Sequence, residues 1–210
     1  MLDKQIDHQT VRLTQLSHGG GCGCKISPSV LREILSKLPP QASQPELLLG
    51  FDKHDDAAVY KINQEQGVVA TTDFFMPIVD DPFEFGRIAA TNALSDIYSV
   101  GGSPIMALAI AGFPTEKMSV QQIQEILGGG AKACEDAGIP IAGGHTIDAP
   151  EPIYGLAAVG LVSLNNIKRN DGAKAGDIII LGKGLGVGIL GAALNKGEID
   201  EIGYAELITS

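Results

Sequence analysis

The chain has 210 residues, 27 of them glycine, with 15 Lys+Arg against 25 Asp+Glu and a formal charge of −10. At 44% hydrophobic and 19% charged residues, this is the composition of a packed globular protein and not of a disordered or fibrous one. The acidic balance and singly scattered cations weigh against a nucleic-acid partner, which needs a basic patch; phosphate-bearing small molecules stay open, through backbone N–H groups and bridging divalent cations.

Residues 14–25, TQLSHGGGCGCK, are polar, glycine-dense and aperiodic, which predicts a flexible loop. Ser27 and Pro28 then form a cap and a first helical position, for a helix running to about Lys37. Prolines 39, 40 and 45 mark a linker. Residues 57–62 and 68–72 read as two strands joined by a polar turn at 63–67. Asp55 and Asp56 precede the first strand and Asp73 follows the second, so an antiparallel pairing brings them to one end of the sheet.

Residues 83–100 carry a helical apolar stripe that places Asn92 and Asp96, four apart, on one face. A strand at 105–110 and a helix at 119–137 follow, with Cys134 on the buried stripe of that helix. Ile141 and Ala142 lead into a Gly143-Gly144-His145-Thr146 turn, and residues 154–162 read as a further strand. After a polar patch at 165–175, residues 177–181 open a fresh strand, the expected start of a second domain. The division expected is a glycine-rich loop at 1–25, a main domain at 26–170 and the beginning of another at 171–210.

Three cysteines make no disulfide framework, and no secretory apolar region precedes them, so a reducing cytoplasm is expected. The longest uncharged stretch, 97–115, is broken by glycines and prolines, which excludes it as a membrane span.

Cys22, flanked by glycines, three residues from Lys25 and just ahead of a helix N-terminus, has neighbours that favour thiolate. Lysine also partners transferring phosphoryl groups. A two-cysteine metal clip or a pair of unremarkable loop thiols are the alternatives. A zinc site from His18, Cys22 and Cys24 lacks the second ligand pair that structural zinc takes. Asp55, Asp56, Asp73 and Asp96 form a second group suited to a magnesium–nucleotide site, because Mg²⁺ binds through one or two carboxylates plus substrate phosphates; each also reads as a turn or cap residue. Asp80, Asp81, Asp148 and Glu151 read as loop carboxylates. Gly143 to Thr146 suit either an anion cradle or a tight turn with a satisfied histidine. No P-loop or dinucleotide fingerprint is present.

Taken together, SHGGGCGCK, DDAAVY, TTDFFMPIVDDPFEFGRIAATNALSDIY and AGGHTIDAPEPIYGLA closely resemble the selenophosphate synthetase (selenide, water dikinase) family, from about Arg12 onward. The wider superfamily, with aminoimidazole ribonucleotide synthetase and thiamine monophosphate kinase, shares the acidic strand ends but lacks the GCGCK loop. The resemblance implies an α/β (α+β) fold: an aminoimidazole ribonucleotide synthetase-like N-terminal domain with a mixed, largely antiparallel sheet flanked by helices, dimerising through its sheet, then the start of a second α+β domain. It implies the reaction ATP + selenide + water → selenophosphate + AMP + phosphate, feeding selenocysteine and selenouridine synthesis, with selenide or a selenium-delivery protein as donor.

By the same resemblance Cys22 and Lys25 are the catalytic pair, and Asp56 and Asp96 are Mg²⁺ ligands. Lys25, Lys53, His54, Asp55, Asp73 and Asp96 contact the nucleotide, while Gly144, His145 and Thr146 reach it across a homodimer interface. Gly20 stands where the family commonly has alanine, which is expected only to loosen the loop. Lys53-His54 replaces a Thr-Arg pair, and Thr146 replaces serine but keeps the hydroxyl. With the rest of the second domain missing, these 210 residues are expected to fold but to turn over poorly. The competing readings are a non-catalytic nucleotide-binding and dimerisation module, and a related ATP-dependent synthetase or kinase acting on a carbon substrate.

Overall fold

Alternating residues in the sequence QGVVATTDFF make strand β3 (Gln66–Phe75), whose odd-numbered side is buried except at half-buried Thr71, and whose even side is exposed except at half-buried Val68. The computed structural model describes residues 12–20, 25–37, 44–50 and 55–209. Their elements run α1 (Pro28–Ser36), β1 (Leu47–Leu49), β2 (Ala58–Lys61), β3, α2 (Pro82–Ser99), β4 (Ser103–Phe113), α3 (Val120–Asp136), β5 (Ile141–Asp148), β6 (Ile153–Ser163), α4 (Val187–Lys196) and α5 (Glu201–Thr209). The strands form one six-stranded sheet in the order β1-β2-β3-β6-β4-β5, antiparallel throughout except for the parallel β4–β5 pair. That parallel pair is the product of an α3 crossover, as parallel pairing requires.

Helix α2 lies on one face of the sheet, against β3, β6 and β4, and α3 packs on α2. Phe85, Ala89, Ala93 and Ile97 of α2 are fully buried, and the Phe85 ring meets Phe75 at 6.2 Å and Tyr154 at 6.5 Å between centroids. Each buried side chain of this size contributes roughly 1.5–3 kcal/mol. Asp81 caps α2 by accepting the Glu84 N–H at 2.8 Å, and Ser119 with Gln122 forms a capping box on α3. The Tyr154 hydroxyl is buried without a partner among the described residues, and burial, with Cys134 beside it, pushes the phenol pKa up. Tyr154→Phe removes only that unsatisfied group, so chemical denaturation is expected to show no loss, or a gain of up to about 1 kcal/mol; a loss above about 1 kcal/mol would mean that the hydroxyl has a partner.

Among the described residues, no helix is seen to pack on the opposite face of the sheet. Leu108 is 39%, Tyr60 45%, Phe74 47% and Ile147 52% exposed there.

Three expectations change. Gly143 to Thr146 are not a turn but the middle of β5, which begins with a bulge where pairing skips from Ile141 to Gly143. Gly144 is glycine for a packing reason, since a Cβ there would overlap the backbone of Ala109 on β4. Asp73 lies inside β3, which runs three residues further than expected at that end.

Residues 177–181 form no strand: Ile178, Ile179 and Ile180 are 88%, 95% and 86% exposed, with no strand partner among the described residues, and a lone strand does not form without one. The chain instead continues into α4 and α5. These helices escape a reading of periodicity because Gly188, Gly191 and Gly203 lie within them, each costing about 1 kcal/mol of helix propensity. Docking offsets that cost, with Leu194 and Leu207 buried and the Arg87 guanidinium donating to the Ile208 carbonyl.

Candidate active site

The site is built where β3 passes under α2. Thr71 and Asp73 share the helix-facing side of β3, and Asn92 and Asp96 sit one helical turn apart on α2. The Asn92 amide donates to Asp73 Oδ2 at 2.7 Å, and the Lys25 ammonium reaches the same oxygen at 3.4 Å. The Asp73 side chain is only 11% exposed, against 58% for Lys25. The Thr71 hydroxyl is 2.8 Å from Asp96 Oδ2 and 3.3 Å from the Asp56 carbonyl; its single proton serves the nearer carboxylate.

Burial, first, and the negative charges of Asp73 and Asp56 push the Asp96 carboxyl above its ordinary value, against the opposing Thr71 hydrogen bond and Lys25 charge. Asp56 and Asp73 therefore lie close enough to act electrostatically on Asp96, as does Lys25, which is bonded to Asp73. Thr71 is the functional-site residue that sequence reasoning missed; its signal was the alternation that puts it on the same side of β3 as Asp73.

Asp55 stands apart, accepting the Asn170 N–H at 2.9 Å. Cys22, Cys24, Lys53 and His54 lie outside the described residues. His18, weighed above as a zinc ligand, has its Nδ1 at 2.8 Å from a Glu151 oxygen. Cys134 is buried in α3, and burial raises its thiol, as befits an unreactive core cysteine.

Gly144, His145 and Thr146 are not brought to the cluster. Register runs Asp73 to Leu156, Leu156 to Ala109 and Ala109 to Gly144, so Gly144 is level with Asp73 but three strands away, or roughly 14 Å at the usual strand spacing. His145 is paired in register with Ile110, on the face turned away from the helices.

Among the described residues no three His, Cys, Asp or Glu side chains form a group able to hold a metal ion. Mg²⁺ does not require one, since it keeps waters and phosphate oxygens around one or two carboxylates. Asp56 and Asp96 fit that chemistry as oxygen donors: the Asp96 carboxyl, raised first by burial and then by the charges of Asp73 and Asp56, would gain from a divalent counter-ion.

The fold has recognisable relatives. The family described as AIR synthase related protein, N-terminal domain, matches residues 54–162, and the chain belongs to it. Over 99% of its length the chain is 60% identical to the selenide, water dikinase of Burkholderia pseudomallei, covering 58% of that protein. It is 63% identical to the selenide, water dikinase of Pseudomonas straminea over 95% of this chain and 56% of the relative. The chain thus spans a little over half the length of these relatives. Among solved structures, thiamine monophosphate kinase from Aquifex aeolicus superposes with a TM-score of 0.59 at 20% identity, covering 85% of this chain and 57% of that one. The Stenotrophomonas maltophilia enzyme of that name gives 0.58 at 22%, covering 82% and 53%. At such identities the likeness is one of fold. No helix among the described residues is long and apolar enough to cross a membrane.

Proposed function

We propose that this chain carries the nucleotide and metal end of a selenophosphate-forming site, in which ATP, selenide and water give selenophosphate, AMP and phosphate. One observation carries the reading: a lysine that directly follows the GCGC loop has its ammonium on Asp73, beside Asp56 and Asp96. Phosphoryl transfer is dominated by positioning and charge neutralisation, and a mobile cation facing carboxylates that recruit a divalent ion supplies both. The names of relatives near 60% identity favour selenide as acceptor over a carbon substrate.

Within this reading Asp56 and Asp96 hold Mg²⁺, which when bound neutralises phosphate oxygens as charge shifts between them. Thr71 orients Asp96, and Asn92 orients Asp73. Asp73 holds Lys25 near the position of the transferred phosphoryl group. Lys53, His54 and Asp55 contact the nucleotide. Cys22 delivers or holds selenium. A boundary near residue 170 separates the main domain from the chain that follows, and the protein works in the cytoplasm.

The sheet face away from α2 favours a homodimer, because Tyr60, Phe74, Leu108 and Ile147, at 39–52% exposure, are large apolar side chains presented on one side of the sheet. A contact of Gly144, His145 and Thr146 with nucleotide would have to be made to the partner subunit, since within one subunit they lie three strands from Asp73. Leu108→Arg is expected to convert the dimer to monomer in sedimentation; a wild-type chain already monomeric at tens of micromolar would remove the dimer from the proposal.

The test of the reaction is phosphorus NMR of ATP with selenide, on a protein of the relatives' full length bearing these residues. A selenide-dependent phosphorus product is expected, and Lys25→Ala should cut its formation by about 10²–10³-fold, the usual loss for one transition-state charge contact. Absence of that product from the parent sinks the assignment, and unchanged activity in Cys22→Ser removes the selenium role of that thiol. The span of 58% of a relative favours a second reading for the 210 residues taken alone, a nucleotide-binding and dimerising unit without turnover. Calorimetry with Mg²⁺ and ATP separates the two: binding without product supports the second.

A further inference from the structure

Residues 12–20, the approach to Lys25, are fastened at more points than a solvated loop requires. Leu13 is fully buried. Asp80, in the connection from β3 to α2, accepts the Thr14 N–H at 3.0 Å, the Thr14 hydroxyl at 2.6 Å and Arg12 Nε at 2.6 Å. Arg12 also donates to the Leu194 carbonyl on α4 at 3.3 Å. Burial alone raises the Asp80 carboxyl, but the Thr14 and Arg12 donors outweigh it and hold it below its ordinary value.

Further along, Glu151, in the β5–β6 connection, takes the His18 N–H at 3.4 Å and stands 2.8 Å from its ring Nδ1. At Gly20 the chain passes so close to the Pro77 carbonyl that a Cβ would lie 2.7 Å from that oxygen, with the Asn195 amide at 3.5 Å on α4. Gly20 is therefore a point of close passage and not merely a source of slack.

We propose that Asp80 and Glu151 are positioning residues for Lys25: together they fix residues 12–20 across the β3–α2 connection, so that the lysine emerges within reach of Asp73. Chain length makes the restraint effective. Five residues lead from Gly20 to Lys25, and even fully extended they span no more than about 17 Å. Two carboxylates from different connections of the fold, each serving a different stretch of one segment, account for that fastening where solvated loop charges do not. The inference rests on the proposed reaction only in taking Lys25 as the working cation.

Limited trypsin digestion reads the placement without nucleotide or selenide, since cleavage after Lys25 needs that segment to open locally. In Asp80→Ala, cleavage after Lys25 is expected to be about 10-fold faster, the loss of several charge-assisted hydrogen bonds. In Glu151→Ala it is expected to be about 3-fold faster, as befits an exposed pair. Glu151→Gln, which keeps an acceptor for the His18 N–H, should return near the parent rate with an unchanged melting temperature, and cleavage after Lys117 should not move in any of the three variants.

Unchanged cleavage after Lys25 in both alanine variants overturns the proposal. So does equal acceleration after Lys25 and Lys117, which signals general loosening, and so does a Glu151→Gln variant no slower than Glu151→Ala. A parent that makes no selenophosphate but shows the expected digestion pattern loses the proposed reaction and keeps this placement.

Discussion

Asp96→Asn is expected to raise the melting temperature of the metal-free chain while removing its stabilisation by Mg²⁺ and ATP. Asp96 is held above its ordinary carboxylate value by burial and by Asp73 and Asp56, so the folded state binds its proton more tightly than the unfolded chain does. Its contribution to stability is then fully present below the unfolded value, near 3.8, and is lost as pH rises through the higher folded value. At neutral pH the fold carries that loss; the amide removes it and still accepts from Thr71.

Relief of one like-charge contact is worth on the order of 1 kcal/mol, or about 2–4 °C for a chain of this size. The wild type should regain more than this from the ligand, about 2.7 kcal/mol at a hundredfold excess over the dissociation constant, and the variant should regain none of it. Calorimetric melting with and without Mg²⁺ and ATP checks both halves. A variant that melts below the wild type without metal, or keeps the ligand-induced gain, contradicts the role given to Asp96. Asp80 behaves in the opposite sense: its lowered pKa stabilises the fold above the unfolded value, and that contribution disappears as pH falls through the folded one.

Gly86→Ala is expected to destabilise the fold by about 3 kcal/mol, lowering the melting temperature by about 6–12 °C. Gly86 on α2 and Gly129 on α3 face each other's backbones: a Cβ on the first would overlap the Ile126 carbonyl, and one on the second the Phe83 carbonyl. Neither obstruction is a flexible side-chain end, so a methyl group must force the helices apart, and α2 carries Asn92 and Asp96. Gly128→Ala is the control, because its Cβ would meet only the Phe83 ring at 3.9 Å; improved helix propensity should there give a gain of up to about 1 kcal/mol. Thermal melts of the three proteins decide it, and equal behaviour of Gly86→Ala and Gly128→Ala would refute the close-contact account.

These two residues also show how much the sequence disclosed. Asp96 was legible because helical spacing put it with Asn92 on one face, and strand alternation accounts for most of the sheet. Gly86 was not, since a glycine reserved for an interhelical contact looks the same in sequence as one tolerated by chance. The β5 strand was hidden by Gly143 and Gly144, which suggest a turn until the nearness of β4 is known. The employment of Asp80 and Glu151 depended on contacts 66 to 133 residues distant along the chain, beyond any local pattern. Strand 177–181 failed for the complementary reason: its composition is that of a strand, but pairing needs a neighbour.

One oxygen, Asp73 Oδ2, receives both the Asn92 amide and the Lys25 ammonium. Within the proposed function, Asp56 and Asp96 would hold a divalent ion that weakens the field on the ammonium, and substrate phosphates would offer Lys25 a new counter-ion, so that loading the site and releasing the lysine would be linked.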